Sequence, residues 1–140
     1  MNLGKRMRKN STPLYALLLG AVAVSTSALG ADFDGSKALI CAPSEVLDCT
    51  SGDDKCWSGP PRKAGAPSFL RIDFARKTVS GPHLTSKILH VNKSDGQILL
   101  QGIELDMGWT VAIDSDSGDV SITLTDRDGA FVMFGACMVP

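Results

Sequence analysis

The second half of the chain repeats one pattern: short runs in which apolar and polar residues alternate, each closed by a turn signal. Val120, Ile122 and Leu124 alternate with Ser121, Thr123 and Thr125, and this is the clearest of the runs. Successive side chains of a strand point to opposite faces, so the alternation suits a strand with one buried face and does not suit a helix. Trp109, Val111 and Ile113 share one face of a run ending at Asp114, with Thr110 and Ala112 on the other. Lys87–Asn92 leads to the turn signal Ser94-Asp95-Gly96, and Gln97–Leu105 is closed by Met107-Gly108. Ser117-Gly118 and Asp128-Gly129 mark two further turns, and Ala130–Val139 completes the series.

Upstream the signal is weaker but of the same kind. Phe69–Phe74 alternates Leu70, Ile72 and Phe74 with Arg71 and Asp73, and Thr78–Ser80 is a shorter candidate. Lys37–Ala42 and Glu45–Cys49 read as two more strands. Between them and Phe69, the stretch from Trp57 to Pro67 holds three prolines and two glycines, which argue against regular structure. No segment has helical periodicity. The final run is apolar on both faces, Phe131, Met133, Cys137 and Val139 against Val132, Phe134, Ala136 and Met138, which predicts a strand covered on both sides. The expected fold is all-β, an antiparallel up-and-down meander of about eight short strands that forms a small closed or nearly closed barrel.

Four cysteines, Cys41, Cys49, Cys56 and Cys137, allow three pairings. Cys49 and Cys56 bracket a polar turn and suit a bridge across a short hairpin, which leaves Cys41 to join Cys137 and clasp the first strand to the last. In the chain-entropy view the longer loop contributes roughly 4–5 kcal/mol. A redox or zinc site is the weaker reading, because there is neither a C-x-x-C motif nor a histidine beside the cysteines.

Disulfides need an oxidising compartment, and the N-terminus supplies an address. Lys5, Arg6, Arg8 and Lys9 precede an apolar core, Leu14–Val24, and a small-residue tail, Ser25–Ala31. This order is that of a secretory signal peptide, and the core is too short for a spanning helix. Residues 1–31 therefore read as a leader cleaved after residue 30 or 31, and 32–140 as one domain of periplasmic or extracellular location, not inserted in a membrane. The leader takes four basic side chains with it. The mature domain keeps 10 Lys and Arg against 15 Asp and Glu, a net charge of −5 where the whole chain has −1. Such a domain has no general attraction for nucleic acid.

Chemistry-bearing motifs are sparse. Asp114-Ser-Asp116-Ser-Gly-Asp119 resembles the start of a calcium loop, but glycine stands at the fifth position rather than the sixth and Thr125 at the twelfth, so a capped hairpin turn is the better reading. Asp32-Phe-Asp34-Gly35 is a shorter match still. His83 and His90, the only histidines, have no hydrolase partners nearby, and G-x-S-x-G and the phosphate-cradling glycine motifs are absent. Paired carboxylates for glycoside chemistry can be drawn from Asp73, Glu104 and Asp106, as in any acidic β protein. Trp109 reads as core. Trp57, followed by Arg62 and Lys63 on the proline-rich loop, is the candidate contact for a partner, since exposed tryptophans anchor interfaces.

Asp32-Phe-Asp-Gly-Ser36 leading to Leu39-Ile-Cys41-Ala42, the Phe69–Phe74 strand, Gln97-Ile-Leu-Leu-Gln-Gly102, Gly108-Trp109, Val111–Ala112–Ile113–Asp114 and the ending Phe134-Gly-Ala-Cys137 resemble a group of small exported bacterial β proteins. The group has no assigned activity. The resemblance implies that the outer cysteines and the strand order belong to one scaffold, and it supplies no functional residues.

The function expected from the sequence is a non-catalytic secreted β domain that needs no cofactor or metal and binds a protein partner or a small ligand. A structural envelope protein is the alternative, and a small secreted hydrolase the less favoured one. Mass spectrometry of the native product should find an N-terminus at Ala31 or Asp32; an intact Met1 would overturn the leader.

Overall fold

The computed structural model describes residues 32–140 and is built from ten strands: β1 (Leu39–Thr50), β2 (Trp57–Gly59), β3 (Leu70–Asp73), β4 (Thr78–Ser80), β5 (Thr85–Lys87), β6 (His90–Ser94), β7 (Gln97–Glu104), β8 (Met107–Asp114), β9 (Asp119–Thr125) and β10 (Gly129–Met138). The expected leader, residues 1–31, lies outside the described residues. All pairings are antiparallel, in the order β5-β4-β3-β1-β10-β9-β8-β7-β6, with β2 also on β1. The sheet curls into a nearly closed barrel.

Closure comes from a short segment between β5 and β6, the two outermost strands of that order. The Ile88 N–H donates to the Lys77 carbonyl (2.9 Å), extending the β4–β5 ladder, and the next amide, Leu89, donates to the Gln101 carbonyl (2.8 Å), extending β6–β7. Consecutive amides therefore satisfy opposite rims of the sheet. At this crossing β5 passes close over β7 at Gly102, where a Cβ would collide with the Trp109 ring and the Lys87 carbonyl. Only glycine lets the backbones approach this closely.

The inner wall follows the alternation. Ile98, Leu100, Trp109, Val111, Ile113, Val120, Ile122 and Met133 are buried, joined by Leu39, Val46, Ile72, Val79 and Ile88. Each fully buried aliphatic side chain contributes about 1.5–3 kcal/mol of transfer free energy. The Cys41–Cys137 bridge lies among them, on strands already in register, and Cys49–Cys56 closes the hairpin leading from β1 to β2.

Several local expectations are corrected. The two strands expected at Lys37–Ala42 and Glu45–Cys49 are one, β1. A bulge at Ser44 and Glu45 puts both residues outside and returns Val46 to the core, so the alternation breaks although the strand does not. Lys87–Asn92 is two strands, because the ladder changes partner at Ile88 and Leu89. The turn between β7 and β8 is Leu105-Asp106 rather than Met107-Gly108, and both its residues take positive φ (50° and 64°). Trp57–Pro67 is not irregular throughout: Trp57–Gly59 pairs with Val46–Asp48, and Pro61–Lys63 forms one 3-10 turn. The last strand is not covered on both sides. A barrel wall has only one inside, and Phe134 (43% exposed) and Met138 (62%) face outward.

Removing the long bridge should cost more than removing the short one, because it closes a loop spanning 96 residues rather than 7. Loop entropy gives about 4.7 and about 2.5 kcal/mol. The double variant C41A/C137A should therefore be less stable than C49A/C56A by about 2 kcal/mol in urea denaturation.

Candidate functional site

The two ends of the barrel differ. One end gathers the β3–β4, β6–β7 and β8–β9 turns and is covered by the segment before β1. Phe33 packs against the core and over Gly118, whose positive φ and bare Cα leave room for the ring. Lys93 Nζ donates to the Asp34 carbonyl (2.7 Å), and Lys37 pairs with Asp32 (2.8 Å).

The titratable groups with clear shifts sit at this covered end. Asp34 is held below the usual carboxylate range by hydrogen bonds from the Ser36 side chain and amide, and Lys37 is raised by its hydrogen bond to Asp32. Asp114 is lowered by the amides of Ser117 and Asp116, which donate to Oδ1 at 2.8 and 2.9 Å. The calcium-like run is thus a hairpin turn whose first carboxylate caps the chain's own amides. Among the described residues, no three His, Cys, Asp or Glu side chains converge as a metal site would require.

At the other end a cavity of about 440 Å³ enters the barrel. Its walls are Leu70, Val79, Trp109, Val111, Ile122, Leu124 and Met133, all on inward positions of their strands. Two loops form its rim: Gly65–Ser68, before β3, and Gly81–Leu84, between β4 and β5. Its polar groups are few. The Trp109 indole N–H donates to Ser86 Oγ (2.8 Å), a buried pair that holds the ring across the interior. Glu104, at the last inward position of β7, is half-buried and faces the cavity with His83 and Ser68.

The expected partner contacts lie elsewhere. Trp57 stands on β2 with 43% of its surface exposed and its ring over Gly59; Arg62 and Lys63 are exposed on the 3-10 turn. None of the three lines the cavity, although the loop they begin supplies its rim. His90 is exposed on β6. The three carboxylates considered for glycoside chemistry do not meet. Glu104 is at the cavity, Asp106 in the adjoining turn, and Asp73 at the covered end, where it accepts from the Arg76 amide. Nothing in the sequence marks the cavity-lining Leu70, Val79, Leu124 and Met133 as more than apolar strand residues. Alternation says that they point inward, not that the space before them is empty.

Ser86→Ala should leave the buried indole N–H without an acceptor and destabilise the fold by about 1–3 kcal/mol in urea denaturation. Comparison with family models, with curated proteins and with solved structures finds no match to this chain.

Proposed function

We propose that this chain is an exported, non-catalytic β-barrel that binds a small, mainly apolar ligand in its open end. The observation that carries the reading is the cavity: about 440 Å³ of space bounded by aliphatic side chains and one tryptophan, entered between two loops. Ligand sites are concave, mainly apolar and within about 300–1,000 Å³, with a few polar groups that fix orientation. The opposite end is covered by Phe33 and its segment, so the barrel offers a blind cup rather than a channel. Export is supported by the leader-like N-terminus and by two bridges, which persist in oxidising compartments.

The reading predicts saturable binding of the neutral fluorescent probe N-phenyl-1-naphthylamine, with the emission rise of an apolar environment. Leu124 lines the cavity without being fully buried, so Leu124→Trp should fill the space and weaken probe binding at least about tenfold with the far-UV circular dichroism unchanged. Absence of probe binding to the wild-type protein would sink the proposal.

A protein partner on Trp57, Arg62 and Lys63 is the second reading, favoured by an exposed tryptophan and two exposed cations within one short stretch of chain. Trp57→Ala should abolish that contact and leave probe binding intact.

A further inference from the structure

Resting on the cavity as a ligand site, we infer that its natural ligand is an amphiphile with a cationic head, and that Glu104 reads that head. Among the described residues Glu104 is the only carboxylate lining the cavity, and no Lys or Arg lines it. Among the described residues the ion pairs are Lys37–Asp32, Arg76–Asp73 and Arg127–Asp128, so no side-chain cation neutralises it. Its position is set by β-sheet parity: Ile98, Leu100, Gly102 and Glu104 share the inward face of β7, and the first three are buried. The same face that builds the core thus ends in an acidic residue, half-buried, on the lining of an apolar cavity.

Low-dielectric walls strengthen and focus the field of such a group towards whatever occupies the space. The other titratable group on the lining, His83, lies on an exposed rim loop. A ligand with an alkyl or aryl body fits the aliphatic walls. An ammonium head completes the site with a charge-assisted hydrogen bond, a hydroxyl head makes a weaker neutral one, and a carboxylate head meets like charge. The preference thus runs from amine to alcohol to acid at equal chain length.

The test is displacement of N-phenyl-1-naphthylamine from the full mature protein by decylamine, decanol and decanoate at submicellar concentrations. Decylamine should displace the probe with about tenfold higher affinity than decanol, the difference between a charge-assisted and a neutral hydrogen bond, and decanoate should be weakest. Glu104→Gln should bring decylamine and decanol to similar affinity, each measured against that variant's own probe affinity. Asp106→Asn, which removes the same charge from the adjoining turn outside the lining, should keep the amine preference. Equal displacement by all three compounds overturns the cationic head, an amine preference that survives in E104Q overturns the role of Glu104, and either leaves the apolar site standing. Loss of the preference in D106N as well as in E104Q assigns it to the general acidity of the domain and overturns the role of Glu104. Failure of the probe itself to bind overturns both readings.

Discussion

The structure depends on the pairing of its first strand with its last. Among the described residues β1 is the only strand with ladders to three others: β10 along one edge, β3 and β2 along the two halves of the other. Without β1–β10, the sheet divides into one piece of five short or half-paired strands, β1 to β5, and a five-stranded meander, β6 to β10, joined through a single chain crossing. Each piece would leave one apolar face in water. Joining strands so distant in sequence has a large loop-closure cost, and the buried Cys41–Cys137 bridge removes much of that cost from the unfolded chain. The close approach is visible at Gly135, where a Cβ would run into the β1 backbone at Ala42 and Pro43, beside the bulge. Bridge, bulge and glycine thus hold one seam.

With the seam made, the asymmetry of the ends follows from what each turn has to cover it. At one end the chain before β1 folds back and places Phe33 against the core, held by Lys93 on the Asp34 carbonyl. At the other, the rim loops are rich in glycine, proline and alanine, and they edge the interior without filling it. The side chains that would fill the space are the ones that line it. Trp109 is the largest, and its bond to Ser86 holds the ring across towards β5. The cavity is therefore a consequence of closure over short rim loops, and Glu104 faces it because the alternation of β7 runs to the end of the strand.

Much of the fold was legible in the sequence. The alternation of Val120, Ile122 and Leu124, and of Trp109, Val111 and Ile113, states which side chains face inward, and the structure buries them as that pattern requires, Leu124 partly. The cysteine spacing gave the hairpin bridge and, by remainder, the long one. Each miss has its own physical cause. The bulge in β1 breaks the alternation without ending the strand, and Leu105-Asp106 turns the chain with no glycine, in a left-handed conformation that costs non-glycine residues about 1–2 kcal/mol each. The two apolar faces of β10 were read as two covered faces. On the outer wall Phe134 instead lies over small neighbours, Ala112 and Ser121, along a shallow groove, half-sheltered and half-wet.

The sequence by itself determined the class of the fold, the inward face of most strands and the fitness of Cys49 and Cys56 for a hairpin bridge, because period, turn chemistry and spacing are local quantities. The tertiary structure decided where the barrel closes, which end is covered and where space remains. Those outcomes depend on non-local approaches, β5 over Gly102 and Phe33 over Gly118, that leave only a bare glycine as their trace in the chain. Glu104 is the sharpest case: in the sequence it is one acid among many at the end of a strand, and the curvature of the sheet makes it the carboxylate that faces the apolar cavity.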